Sequence, residues 1–144
     1  MFMTDEVREQ VERPLAIIET QVVLMEYATA RVVPDEAAER ELHLRAVERL
    51  LQVVIECMAD AGNALIDNLM MRDAASYVDI VDILADERVL LPETAAQARR
   101  VMNLRRALMQ RFTAEEVRAD VWACLALWPT LGRFVNEVRA FCDE

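Results

Sequence analysis

Arginines set the chemistry open to this chain. Five of them, Arg99, Arg100, Arg105, Arg106 and Arg111, stand between Thr94 and Phe112, with no acid among them. The chain as a whole carries −10, so this window at +5 faces −15 in the remainder. A basic block inside an acidic protein marks a candidate anion site. On a helix, at about 100° per residue, Arg105 has Val101, Met102, Leu108 and Met109 as its i−4, i−3, i+3 and i+4 neighbours. A charge centred on an apolar face is unfavourable unless the guanidinium meets an acid, a phosphate or a second chain. Arg99, Arg105 and Arg106 are therefore the candidate phosphate-binding residues.

The acids that could answer Arg105 lie on a long second helix, expected from about Asp35 to Leu69. There Val47, Leu51, Val54, Met58, Ala61 and Leu65 recur at the 3.6 period. Opposite them runs a polar line, Arg45, Arg49, Gln52, Glu56, Asp60, Asn63 and Asp67, only about 100° wide. Two readings stand. The line is a narrow solvated face, or its acids Glu56 and Asp60 turn toward Arg105 and leave Asn63 to contact a ligand. The second reading expects Arg105 within salt-bridge reach of Glu56, Asp60 or an acid of a second subunit. It also expects loss of that partner to be as damaging as breaking a buried pair. The one histidine, His43, has neither a nucleophile nor a metal-ligand neighbour and reads as structural or surface. No Ser-His-Asp set, H-E-x-x-H, paired-cysteine spacing or glycine-rich phosphate loop occurs, so no metal and no cofactor is expected.

These residues need helices to position them. Thr4 to about Ala28 reads as a helix started or interrupted by Pro14, with Leu15, Ile18, Val22 and Met25 on its stripe. After a loop from Thr29 to Asp35 comes the second helix, which Gly62 is expected to kink. Ser76 can cap a short helix through about Asp86, with Tyr77, Ile80, Val81 and Leu84 inward. Pro92 suits the first turn of the arginine-rich helix. Thr113 with Glu116 forms a capping box, ending that helix near Phe112. A last helix carries Val117, Val121, Leu125, Trp128, Leu131, Val135 and Val138 on or near one stripe, with a bend expected at Pro129 and Gly132. No strand and no repeat competes. The expected architecture is all-α, an antiparallel bundle of four to five helices in one domain over residues 1–144.

Composition agrees. With 55% hydrophobic residues, two glycines and four prolines among 144, the chain is neither disordered nor turn-rich, and it can bury a core without staples. Cys57, Cys124 and Cys142 are odd in number and sit in helical patterns, which suits free thiols in a reducing, cytoplasmic compartment. No uncharged stretch reaches the roughly 18 residues of a membrane span, and no basic, then apolar leader opens the chain. The acidic charge excludes broad duplex binding, so any nucleic-acid contact must be confined to a cleft. All sixteen basic residues are arginine, a bias that GC-rich coding explains without function.

The runs AVERLLQVVIECMADAGNALI, SYVDIVDILADERVLLP and RVMNLRRALMQRF, in that order, resemble the HepT-like branch of the HEPN superfamily from about Glu36 onward. The family signature is an Arg-Asn pair, a His five residues after the Arg and a Tyr two beyond that His. Arg105 matches the Arg; Arg106, Gln110 and Phe112 stand at the Asn, His and Tyr positions. The resemblance implies a homodimeric, metal-independent ribonuclease toxin whose signature helices share a cleft. Its partner would be a nucleotidyltransferase antitoxin that adenylylates the Tyr. Cleavage through a 2′-hydroxyl needs a group that exchanges protons near neutral pH, which imidazole does and a carboxamide cannot. Phe112 offers no hydroxyl to modify. Two functions remain open: a weak or inactive toxin-type ribonuclease relying on Arg105 and the degenerate Gln110 position, or a non-catalytic homodimer that binds RNA or nucleotide and pairs with a nucleotidyltransferase.

Overall fold

The computed structural model describes residues 3–110 and 114–144, and among these it contains seven helices and no strand. The helices are α1 (Asp5–Thr29), α2 (Ala37–Asn68), α3 (Tyr77–Asp86), α4 (Pro92–Met102), α5 (Leu104–Gln110), α6 (Glu115–Leu125) and α7 (Trp128–Cys142). They are the expected five rods with two of them broken. Thr4 caps α1 by accepting from the Val7 N–H, and Ser76 caps α3 by accepting from Asp79. Pro92 opens α4, where its missing N–H would have had no helical acceptor.

Three expectations are corrected. Pro14 neither starts nor interrupts α1; the helix runs through it with the ring buried on the stripe of Val11, Leu15 and Ile18, so packing outweighs one lost backbone bond. The arginine-rich rod is broken at Asn103, a weak helix former, which puts Arg99 on α4 and Arg105 on α5. The last rod breaks at Ala126 and Leu127 instead of bending at Pro129. A continuous helix would have set the Pro129 ring against the Leu125 carbonyl, whereas the break places Pro129 in the first turn of α7. Ala114 is the N-cap of α6, without a side-chain cap bond, and the Thr113 of the expected capping box lies outside the described residues.

Gly62 does not interrupt α2, which is a single helix of 32 residues. Its role is close approach: a Cβ there would lie 2.4 Å from Ile80 Cγ2 of α3. The antiparallel order is visible in the cross-helix bonds. Asn68 at the end of α2 donates to Gln10 near the start of α1 at 3.2 Å. Arg139 of α7 reaches Glu12 (3.1 Å) and Glu19 (2.5 Å) of α1. Glu137 of α7 accepts from the Leu91 N–H at 2.7 Å and from the Thr94 hydroxyl at 2.6 Å, so a carboxylate from another helix anchors the start of α4. One apolar core, drawn from all seven helices and including Leu15, Leu51, Met58, Leu84, Met102 and Phe134, fills the space between them.

Gly62→Ala should lower stability by about 1–2 kcal/mol in urea unfolding, because crowding the stiff Ile80 side chain outweighs the roughly 1 kcal/mol of helix propensity gained. A second prediction concerns the turn before α3. Asp79 accepts both Arg72 terminal nitrogens at 2.7 Å and the Ala75 N–H at 2.8 Å. The Arg72 guanidinium first, then the Ala75 amide, hold its carboxyl down from 3.8 to about 2. A carboxyl depressed in the folded state contributes stability above its unfolded pKa of about 3.9 and loses it as pH falls through the folded value. Acid titration followed by circular dichroism should show a stability loss between about pH 4 and 2 that Asp79→Asn diminishes.

Candidate phosphate-binding site

Arg105 leaves the first turn of α5 and crosses to α2 and α3. Its Nε donates to Glu56 Oε1 at 3.0 Å. Its guanidinium carbon lies 4.0 Å from the centre of the Tyr77 ring, within cation–π range. Tyr77 closes the set: its hydroxyl donates to Glu56 Oε2 at 2.8 Å. One carboxylate thus holds a cation with one oxygen and a phenol with the other, and the phenol's ring carries the cation. Among the described residues Glu56 is the one carboxylate hydrogen-bonded to this guanidinium.

The electrostatics follow from that arrangement. Glu56 keeps the Arg105 guanidinium charged, raising its pKa above the ordinary value. Burial, then the Glu56 carboxylate, push the Tyr77 phenol above 10, so it remains a neutral donor and no base. Burial, then Asp60 and Glu56, raise the Cys57 thiol beside the site, which leaves it without thiolate reactivity. What the set can do is hold a fixed positive charge toward solvent, the property needed to bind a phosphate or stabilise charge developing on one.

Glu56 is within reach of Arg105, one of the placements expected, but the pair is not buried. The side chains retain 36% and 51% of their exposure. Val101, Met102 and Leu108 are buried as expected, yet Met109 is 60% exposed, so one of the four expected apolar neighbours of Arg105 faces solvent. Loss of the pair therefore belongs with exposed pairs, which contribute little, and not with buried ones.

The remaining candidates separate. Arg106 is exposed next to Arg105, with no ion-pair partner among the described residues. Arg99 instead pairs with Asp82 of α3. Asp60 and Asn63 are exposed further along α2, and neither they nor Arg99 line the grooves beside Arg105. Gln110 is the last described residue of α5, exposed and without a hydrogen-bond partner among the described residues. Phe112, expected at the degenerate adenylylation position, lies outside them. His43 is stacked on Trp122 of α6, ring centres 5.7 Å apart at 21°. It precedes Glu56 by thirteen residues, about 20 Å along the α2 axis, so it cannot act at Arg105. Sequence reading missed Tyr77, which it placed simply inward. The available signal was its type, since a half-buried tyrosine in a first turn needs a partner for its hydroxyl.

The fold and site define an all-helical, HEPN-like protein with a clamped, charged arginine facing solvent. The chain belongs to the HepT-like ribonuclease family, whose model, "Ribonuclease HepT-like", matches residues 18–138. It is 32% identical over 143 residues to the candidate RNase YutE of Bacillus subtilis (strain 168), covering 99% of this chain and 93% of that one. The solved structure of YutE, described as a cytosolic protein of unknown function, superposes with a TM-score of 0.74 at 29% identity over 98% of this chain and 92% of that one. Two toxin–antitoxin structures share the fold. One, with AMP-PNP, gives a TM-score of 0.71 at 14% identity; the other, a mutant MntA-HpeT, gives 0.70 at 15%. Each comparison covers 92% of this chain and 98% of its counterpart.

The clamp makes a spectroscopic prediction. The chain has two tyrosines, so a Tyr27→Phe background isolates Tyr77. Its ultraviolet titration should fall above pH 10, and Glu56→Gln should lower it only in part, because burial is the larger cause and stays. A Tyr77 titration indifferent to Glu56→Gln would contradict the hydrogen bond.

Proposed function

We propose that the protein is the toxin-type subunit of a toxin–antitoxin pair, a HepT-like homodimer that holds RNA or nucleotide phosphate at Arg105 and Arg106 and cleaves it weakly or not at all. The observation that carries this reading is the Glu56–Arg105–Tyr77 clamp, whose arginine shares α5 with Gln110, the residue at the position where the family has histidine. Arg105 can bind and stabilise phosphate charge, but Gln110 has no proton to exchange near neutral pH and the Tyr77 phenol is held protonated. Without proton transfer, which contributes about 10²- to 10⁴-fold, electrostatic stabilisation leaves cleavage correspondingly slower.

Assembly and control belong to the same proposal. The exposed Met109 beside Arg105 supports a dimer with α5 at or beside the two-fold axis, bringing both arginine clusters to one cleft. A nucleotidyltransferase antitoxin is the partner that the family and the two toxin–antitoxin neighbours support. With Phe112 at the acceptor position, such a partner would act through binding, not through modification there. The buried free thiols of Cys57, Cys124 and Cys142 support a cytoplasmic setting, and among the described residues no helix is long and apolar enough to cross a membrane.

Wild-type protein should bind single-stranded RNA in a salt-sensitive manner with little cleavage near pH 7, and Arg105→Ala should weaken binding without unfolding the bundle. Gln110→His with Arg106→Asn, which removes a cation that would depress the imidazole, should restore measurable cleavage in a gel assay. Light scattering should give about twice the 16.5 kDa chain mass. Vigorous wild-type cleavage that survives Gln110→Ala and vanishes in His43→Ala would place the active site elsewhere.

A further inference from the structure

One side of α1 has no cover. Its inward residues Val11, Leu15, Ile18 and Met25 are buried, and the helix packs chiefly on α2 and α7. On the opposite side Ala16, Ile17, Thr20, Val23, Leu24 and Tyr27 are all exposed, Val23 by 65% and Tyr27 by 57%. Their spacing, i, i+1, i+4, i+7, i+8 and i+11, is that of a stripe about three turns long. A helix on the outside of a domain needs one apolar stripe, and α1 carries a second that meets only solvent. A contiguous exposed apolar face of this kind marks an interaction surface.

The residues of this face complement one another when the helix is reversed. With a two-fold axis at Thr20, residues equally far on either side of it meet. Ala16 then packs on Leu24 of the second copy, Ile17 on Val23, Arg13 on Tyr27 and Glu9 on Arg31. Glu9, Arg13 and Arg31 are exposed as well. Within one chain Arg13 already donates to Glu9 at 3.2 Å, and the Arg31 guanidinium already lies 4.1 Å from the centre of the Tyr27 ring. Across the axis these two local pairs close into a ring of acid, cation, aromatic and cation at each end of the contact. At the axis itself Ala16 and Thr20 are small enough for close approach. The Thr20 hydroxyl donates to the Ala16 carbonyl at 3.4 Å, so covering it orphans no donor. A parallel pairing would instead set Glu9 against Glu9 and Arg13 against Arg13, which like charge disfavours.

We propose that this face of α1 is an isologous interface with a second copy of the chain, the two helices antiparallel and crossing at Thr20. It is separate from the two-fold contact placed at α5 above and does not rest on it, since α5 packs chiefly on α2, α4 and α6. A chain with both contacts extends a pair to four chains. Three turns of helix cover less than the roughly 800 Å² per partner of a standard interface, so the α1 contact is a weak one that forms as concentration rises.

Two measurements on the full-length chain test it. Cys57, Cys124 and Cys142 are buried, so a thiol introduced at the surface is the one that couples under mild oxidation. Thr20→Cys should give disulfide-linked pairs about tenfold faster than Glu26→Cys, which lies about 120° round the same helix. Sedimentation velocity over a concentration series should show an association step that Leu24→Glu weakens about tenfold or more, because the contact would bury an unpaired charge. Glu9→Arg and Arg31→Glu should each weaken that step, and the double exchange should restore it. Circular dichroism identifies any variant that fails to fold, and the charge exchange at Glu9 and Arg31 then serves for Leu24→Glu. If α5 also pairs, the Leu24→Glu protein stops at two chains; if it does not, the protein stops at one, and in both cases the lost step is that of α1. Association unchanged by Leu24→Glu, charge exchanges that do not compensate, or equal coupling of Thr20→Cys and Glu26→Cys overturns the α1 interface.

Discussion

The structure depends on the burial of α2. Leu44, Val47, Leu51, Val54, Ile55, Met58, Ala61, Leu65 and Ile66 are each under 5% exposed, and α1, α3, α4, α5 and α6 all pack against this helix. Removing that much apolar surface from water is the largest favourable contribution available to a chain of this size. Once it is covered, a narrow polar line remains on α2, and whatever lies beside that line meets Arg49, Gln52 and Glu56. Gly62 belongs to the same constraint, since only a missing side chain lets α3 come close enough to seat Tyr77 against Glu56.

Carboxylates then tie the outer helices together. Glu137 anchors α4 from α7, Glu41 pairs with Arg118 of α6, Asp82 with Arg99 of α4, and Glu56 with Arg105 of α5. Three of these ties engage an arginine, and the Glu137 tie engages the Leu91 N–H and the Thr94 hydroxyl. The acidic excess is therefore partly an inventory of fasteners, and the arginines left without partners gain significance by contrast. Arg49 and Arg106 are among these, and both flank Arg105.

Membership of the HepT-like family and the proposed weakness of cleavage are compatible because they rest on different physics. The family fold is maintained by the core, which reads side-chain volume and periodicity and is indifferent to the identity of an exposed residue on α5. In the proposed reading cleavage depends on a titrating group at the position of Gln110, which is exposed, so replacing it leaves the packing undisturbed. The clamp on Arg105 is separate again. It orients a cation whether or not a base stands beside it, which allows a binding function to outlast a catalytic one.

The sequence by itself determined the all-α class, the cap at Ser76, the role of Pro92, the apolar stripe of α2 and the singular position of Arg105, because all of these follow from local periodicity and helix-end chemistry. It also narrowed the partner of Arg105 to Glu56 or Asp60, which face the same way, or an acid of a second subunit. Only the tertiary structure chose Glu56, as the joint at Asn103 sets α5 one turn short of Asp60 and the pair's exposure depends on how α5 tilts. Likewise only packing could carry α1 through Pro14 and break the last rod ahead of Pro129, where neighbouring helices outweigh or enforce a local preference. Tyr77 and Arg99 show the limit most plainly. Side chains twenty-one and seventeen residues from their partners meet them, or miss the expected site, by the way α3 lies across α2 and α4, and no spacing along the chain contains that angle.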